Sequence, residues 1–413
     1  MLTGAHDTAV RCGPDMKRIV KWTVLALLVI AAAGIAREPL FWQRYFSALA
    51  LPSGLPPSFY EPRDLIAGGN EPPVPRVAPE LESLDSRALE AAAAYAARHD
   101  SLALIVSRHG HLVFEKYWSG TGFDTLEDSQ SLARVVAALL TGIAISDRKI
   151  GWPDEPIGHF IGEWRNDPRG AITVRNLLQM SSGLAPGGST LNPWGAGARQ
   201  LFGTDAVAEY LGTPLAGTPG TTWVEQRADP ELLALVLERA TGLRYAAYVS
   251  KVLWKRIGAG DAWLWLDRPG GTAHADCCML ARQGDWIRVA ELLLRDGNYR
   301  GDELVRPGWV AQMLVPAKGN SNYGAYLRLG ARHVAGMEPY ATNDVFLVEA
   351  AGGNRLWLVP SLQIAILRTG HMPRGGGDWD DARIPNLIIH GARDYVPQQG
   401  QPAADLSKLV PNH

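Results

Sequence analysis

The sequence has few cysteines and almost no excess of charge of either sign. Among its 413 residues are three cysteines, and 40 Lys and Arg balance 42 Asp and Glu to leave a formal net charge of −2. Nucleic-acid-binding domains usually carry clustered positive charge, so this balance argues against a polynucleotide partner. A chain of this length can bury a large core without a disulfide framework. Cys277 and Cys278 are adjacent, so we expect buried packing there rather than an ordinary structural bridge.

Glycine-rich catalytic and nucleotide-binding motifs are also missing. The chain contains no G-x-S-x-G nucleophile elbow, no P-loop and no dinucleotide-binding glycine pattern. These absences argue against α/β-hydrolase, nucleotide-dependent and nicotinamide-dependent functions. His109 and His111 flank Gly110 in a predicted hairpin turn, and a metal site would need further ligands converging on them. We therefore expect no metal site and no cofactor.

The amino-terminal segment, residues 1–50, has the pattern of a signal or membrane anchor. Lys17, Arg18 and Lys21 precede an apolar run from Trp22 to Ala36, as the charged and apolar regions of a secretory signal do. By the positive-inside rule we expect export, with the protein anchored through this segment at the periplasmic face of the inner membrane. Cleavage near Ala36 would instead release it into the periplasm, and both alternatives remain open. Aromatic and apolar residues that favour the anchor follow directly: Leu40, Phe41, Trp42, Tyr45 and Phe46.

Proline usage and apolar patterning divide the rest of the chain. Residues 51–80 hold eight of the 28 prolines, so we predict an extended linker. A single domain is predicted over 81–395, followed by a tail over 396–413. In this domain, predicted strands near both ends enclose a long, mostly helical stretch, which indicates an α+β fold. The predicted strands are Leu102–Val106, Leu112–Tyr117, Val345–Glu349, Arg355–Val359 and Ile364–Arg368.

Short motifs in a fixed order carry a family resemblance. They are Ser131-Leu132-Ala133-Arg134, Thr173–Leu178, Ser181–Leu184, Pro219-Gly220-Thr221, Cys277-Cys278 and Gly352-Gly353. In this order, over roughly residues 81–395, the chain resembles the serine hydrolases of the class C β-lactamase and penicillin-binding superfamily, and most closely the 6-aminohexanoate-dimer hydrolase-like branch. The resemblance implies an antiparallel sheet flanked by helices, an inserted helical region, and an active site between them. It also implies acyl transfer from a small amide or ester to water.

The resemblance assigns the nucleophile to Ser131 and the position of the family's lysine to Arg134. Residues three apart at the start of a helix share one face, so a neutral lysine there can accept the serine proton. A guanidinium stays protonated and has no acceptor, so Arg134 can hold charge but cannot act as a general base.

Two further family motifs are altered in this sequence. The triplet Glu225-Gln226-Arg227 stands where the family has Tyr-x-Asn, and Ala351-Gly352-Gly353 is the best match to the Lys-or-His-x-Gly strand motif. Glu225 and Arg227 replace both functional side chains of the first motif, and Ala351 removes the cation of the second. An oxyanion hole of backbone N–H groups, contributed by Ser131 and that strand, does not depend on side-chain identity.

The altered residues allow two interpretations. In the first, Glu225 is the base for Ser131 and the protein hydrolyses a small amide or ester. In the second, Arg134 and Glu225 form a charge-assisted pair, Ser131 only begins a helix, and the protein is a pseudoenzyme that binds a ligand or acts as a scaffold.

Overall fold

The computed structural model describes residues 14–51, 55–69, 72–330, 337–372 and 378–397. Its helices are α1 Pro14–Arg37, α2 Pro39–Ala50, α3 Ser86–Arg98, α4 Ala133–Ser146, α5 Val174–Leu178, α6 Ala196–Phe202, α7 Ala206–Leu211, α8 Ala228–Thr241, α9 Tyr245–Val249, α10 Gln283–Leu294, α11 Trp309–Met313 and α12 Arg383–His390. Its strands are β1 Arg63–Ile66, β2 Ser101–Arg108, β3 His111–Tyr117, β4 Leu126–Asp128, β5 Ala262–Trp265, β6 Met279–Arg282, β7 Asn298–Tyr299, β8 Asp302–Glu303, β9 Arg328–Leu329, β10 Phe346–Glu349, β11 Arg355–Val359 and β12 Ile364–Gly370.

An antiparallel sheet joins the two ends of the domain. Its order is β3-β2-β12-β11-β10-β9, and Ile105 of β2 lies opposite Leu367 of β12. The inner strands β11 and β12 are buried along their whole length, which explains why residues 356–359 and 364–367 form continuous apolar runs in the sequence rather than alternating patterns. The strands predicted near both ends of the domain therefore lie in one sheet.

Helices cover both faces of this sheet. On one face, Trp357 and Ile366 pack with side chains of α3 and α12. On the other face, Leu356 and Leu367 join the larger core that contains α4, α8 and α10. Successive strand residues point to opposite faces, so each inner strand contributes to both cores. The predicted α+β class is confirmed.

A second, four-stranded antiparallel sheet corrects two predictions. Its order is β1-β5-β6-β4, and three of its strands lie in the part of the domain predicted to be mostly helical. β1 lies inside the predicted linker 51–80. It pairs with β5, with Arg63 opposite Trp265 and Ile66 opposite Ala262, so the prediction of an extended linker is wrong there. The reason is local, because the stretch between Pro62 and Pro72 has no proline and can donate to a ladder.

The amino-terminal helices differ in how they contact the domain. Helix α2 is amphipathic and buries Phe41 and Tyr45 in a small core with Phe202 and Trp265. Helix α1 exposes most of its described apolar side chains, Ile19 and Trp22 among them. Within the residues that the structure describes, no helix combines the length and apolar character needed to cross a membrane. The predicted membrane-spanning anchor is therefore not supported.

Candidate active site

Ser131 lies in a single 3₁₀ turn, Gln130–Leu132, that leads into α4. The turn is held by Asp128, whose carboxylate accepts hydrogen bonds from Gln130 N at 2.9 Å and from the Tyr60 hydroxyl at 2.6 Å. Asn354 Nδ2 donates to the Asp128 carbonyl at 3.0 Å and ties the turn to the start of β11. The Ser131 side chain is partly exposed, and among the described residues its hydroxyl has no hydrogen-bond partner.

Arg134, one turn further along, is bound on both sides by carboxylates. Its Nε and Nη2 lie 2.7 Å from Asp276 Oδ1, and its Nη1 donates to Glu225 Oε1 at 2.7 Å. Asp276 is 2% exposed and also accepts from Arg227 Nη1 at 2.6 Å. Glu225 is 47% exposed. The predicted pair of Arg134 and Glu225 is confirmed, and it belongs to a network of two arginines and two carboxylates.

The charge of Arg134 is fixed by this network. Burial lowers the pKa of the guanidinium, but the neighbouring carboxylates of Asp276 and Glu225 outweigh burial, and the net shift is upward. A group that cannot lose its proton cannot accept one from Ser131. The position of the family's lysine therefore offers the serine no base.

Asp276 is the site residue that the sequence-based reasoning missed. The start of α8 positions it, because Glu231 accepts hydrogen bonds from Ala275 N at 3.1 Å and from Asp276 N at 3.3 Å. No motif spacing connects Asp276 with Arg134, 142 residues earlier. Its position beside the Cys277-Cys278 motif is the one signal that could have identified it.

Cys277 and Cys278 correct another expectation. The structure joins these neighbours in a vicinal disulfide, whereas we expected only packing. Cys278 is buried and has a positive φ of 68°. Arg227 Nη1 lies 3.4 Å from Cys277 Sγ, so the disulfide borders the ion network of the candidate site.

Ala351, Gly352 and Gly353 lie in the turn between β10 and β11 and not within a strand, which corrects the predicted strand position. Gly353 has a φ of +124°, a backbone conformation that an ordinary strand residue does not adopt. The turn is still part of the site. The Gln130 side chain lies against Gly352, where a Cβ atom would be 2.4 Å from Gln130 Oε1, and Asn354 N lies 3.4 Å from the same oxygen.

A buried polar cluster lies next to the ion network of Arg134, Arg227, Glu225 and Asp276. Gln226 Nε2 donates to Ser182 Oγ at 2.9 Å and to Asp229 Oδ1 at 3.0 Å, and Asp229 is fully buried at the start of α8. Burial raises the pKa of Asp229 to about 7, although hydrogen bonds from Ser182 and Gln226 and the charge of Arg134 oppose the increase.

Asp229 should make stability depend on pH. Because its pKa is about 7 in the folded protein and ordinarily 3.8, the folded state binds more protons between these values, and stability falls as pH rises. Asp229→Asn lacks this titration. Between pH 4 and pH 8 we therefore expect the unfolding free energy of the wild type to fall by about 4 kcal/mol relative to that of Asp229→Asn. Urea unfolding of both proteins across this range measures the difference. A difference that stays constant with pH would contradict the shifted pKa.

Helix α4 is held in place by a buried tryptophan. Trp309 of α11 is 2% exposed and donates from Nε1 to the carbonyl of Ala138 at 3.0 Å. Its ring lies against Gly142, where a Cβ atom would be 2.5 Å from Trp309 Nε1. The glycine of α4 therefore permits the close approach that fixes the helix bearing Arg134.

Comparison with known proteins identifies the family. A family model described as Beta-lactamase matches residues 87–345. The chain belongs to the beta-lactamase family. A 6-aminohexanoate-dimer hydrolase of Paenarthrobacter ureafaciens is 27% identical over 225 residues, which are 52% of this chain and 57% of that protein. The match thus spans less than two thirds of the relative's length.

Solved structures of the beta-lactamase family share the fold. A protein from Bacillus anthracis, provisionally named a 6-aminohexanoate-dimer hydrolase, superposes with a TM-score of 0.65 at 18% identity and covers 81% of this chain and 90% of its own. A penicillin-binding protein homologue from Caulobacter crescentus gives a TM-score of 0.59 at 16% identity, with coverage of 76% and 97%. The predicted family resemblance and the predicted architecture are both confirmed.

Proposed function

We propose that this member of the beta-lactamase family is a pseudoenzyme that binds a small amide or ester without cleaving it. The observation that carries the proposal is the double engagement of Arg134. Its guanidinium is bonded to Asp276 through Nε and to Glu225 through Nη1. The group at the lysine position is thus a cation fixed by two anions, and one oxygen of the carboxylate at the tyrosine position is bonded to that cation.

The class of ligand is proposed from the family. The curated relative is named for a hydrolase of the 6-aminohexanoate dimer, an amide, and in this chain the backbone turn at Gly352 and Gly353 lies beside the serine turn. Gly353 N already donates to the Ala350 carbonyl at 2.9 Å, so we assign the role of holding a carbonyl oxygen to the backbone N–H groups of Ser131 and Gly352, whether or not the serine attacks. We also propose that the protein acts in the periplasm or at the periplasmic face of the inner membrane, supported by the basic and apolar pattern of residues 17–36.

A second candidate function is slow hydrolysis through Ser131 with Glu225 as base. One observation favours it. Glu225 bonds Arg134 through Oε1 and remains half exposed, so its second oxygen could accept a proton. Against this role, Glu225 Oε1 is already bonded to Arg134 Nη1, and among the described residues the Ser131 hydroxyl has no hydrogen-bond partner.

Labelling of the full chain with a fluorophosphonate separates the two candidates. We expect no adduct by intact mass under conditions that fully label an active member of the family. The matched variant carries Arg134→Lys, Glu225→Tyr and Arg227→Asn together, which restores two family motifs, and we expect it to gain an adduct that Ser131→Ala abolishes. A Ser131-dependent adduct on the native chain would refute the proposal, and its loss in Glu225→Gln would establish the second candidate.

A further inference from the structure

An exposed aromatic surface next to α1 belongs to neither interpretation of the candidate active site. It combines Trp42, Phe46 and Leu49 of α2 with Leu191 and Trp194 of the loop before α6. Trp194 is 76% exposed and Leu191 is 70% exposed. The Trp42 ring lies 5.3 Å from the Trp194 ring and 5.6 Å from the Phe46 ring. We call these five residues the aromatic patch.

Specific contacts hold both segments of the aromatic patch in place. The Tyr45 hydroxyl donates to the Leu191 carbonyl at 2.6 Å, which fixes the loop against α2. Phe41 and Tyr45 point into the domain, so α2 is anchored by one face and presents the other to solvent. Burying one face while exposing large aromatic side chains on the other is unusual for a surface that meets only water.

The five residues of the patch carry no charge, and the charged residues that border their segments, Glu38 and Arg199, form an ion pair with each other. Residues 39–51 and 185–198 contain one charged residue between them, Arg44. Arg44 is buried and points away from the patch, donating to the carbonyls of Leu266 and Asp267 at 2.8 and 2.7 Å. An uncharged apolar surface gains free energy when it leaves water, by an amount that grows with its area.

Helix α1 indicates what covers the patch. It ends at Arg37, two residues before α2, and exposes apolar side chains including Val24 and Val29. Its first turns carry the exposed cations Arg18 and Lys21, which attract anionic lipid headgroups. A bilayer would accept both the exposed apolar side chains of α1 and the patch, and its anionic headgroups would meet Arg18 and Lys21.

We propose that the aromatic patch rests on the surface of a bilayer that contains anionic phospholipids. Tryptophan and phenylalanine suit this position because their rings settle at the boundary between headgroups and acyl chains. Two segments far apart in sequence contact the bilayer, and this fixes the orientation of the domain relative to it. The proposal concerns side chains other than those of the candidate active site and stands whether or not Ser131 is catalytic.

The test places an environment-sensitive fluorophore on the patch. In the full chain with Cys12→Ser, the fluorophore is attached through Trp194→Cys or Phe46→Cys. The matched control is Trp152→Cys, because Trp152 is an exposed tryptophan (54%) outside the patch. With phosphatidylcholine–phosphatidylglycerol vesicles we expect a blue shift and quenching by spin-labelled lipids at positions 194 and 46, and neither effect at position 152.

Binding of unlabelled variants provides the second measurement. We expect Trp194→Ser to weaken vesicle binding about tenfold and Trp152→Ser to leave it unchanged, with both variants melting like the wild type. Labels at 194 and 46 that stay in a watery environment while the chain is bound would overturn the proposal, since α1 alone would then hold the vesicle. A dimer that Trp194→Ser dissociates, without vesicle contact at 194, would assign the patch to a second copy and also overturn it.

Discussion

Replacing Arg134 with alanine is expected to destabilise the protein by about 3 kcal/mol. The substitution removes two hydrogen-bonded contacts to Asp276, whose carboxylate is almost completely buried. Removing one partner of a buried ion pair is costly because it leaves a charge that water cannot solvate. Arg227, 2.6 Å from Asp276, still neutralises this carboxylate in the variant. We therefore expect a loss at the lower end of the range of about 3–5 kcal/mol that is typical of broken buried ion pairs. Urea unfolding followed by circular dichroism measures it.

Glu225→Ala is the matched control for Arg134→Ala. Glu225 belongs to the same network but is half exposed, and exposed ion pairs contribute about 1 kcal/mol or less. We therefore expect a ratio of roughly three between the two losses of unfolding free energy. Equal losses would show that the network is not divided into a buried and an exposed half as the structure indicates.

Replacing Trp309 with alanine should cost about 4 kcal/mol of unfolding free energy. The buried ring fills the space against Gly142 and its Nε1 donates to the Ala138 carbonyl. Truncating a buried tryptophan loses the transfer free energy of the ring and leaves a cavity. Urea unfolding followed by circular dichroism measures this loss as well. The contacts that are lost are those with α4, the helix that carries Arg134.

Trp152→Ala is the appropriate comparison for Trp309→Ala. Trp152 is an exposed tryptophan, and surface substitutions away from special features change stability by about 0.5 kcal/mol or less. A loss in Trp309→Ala no larger than that of Trp152→Ala would mean that α11 does not hold α4.

The fold was predictable where apolar runs are long and continuous. β11 was predicted over the residues that form it, Arg355–Val359, because all five are buried. The start of α12 at Arg383 is set by a side-chain contact and not by an apolar run, since the Asp380 carboxylate accepts a hydrogen bond from Ala382 N at 2.8 Å just before it. Short strands such as β4 were missed because three partly buried residues carry too little periodicity.

The site was predictable as far as motif order reaches. The pairing of Arg134 with Glu225 followed from two substitutions that occur together in the motifs, because opposite charges placed in contact stabilise each other. Asp276 could not be found in this way. Its role depends on the folding of residues 275–276 onto Glu231, a contact between segments 44 residues apart that no local pattern encodes.

The pairing of β2 with β12 has a consequence for how the chain folds. Ile105 and Leu367 lie opposite each other in the sheet, so nearly the whole domain forms the loop between two adjacent strands. Pairing of such distant residues is slow, because the entropy of closing the loop is lost before the contact is gained. A nascent chain therefore exposes one edge of β2 until its last strand has left the ribosome. We therefore expect the central sheet to close late in folding, and a truncation before residue 364 to leave it open.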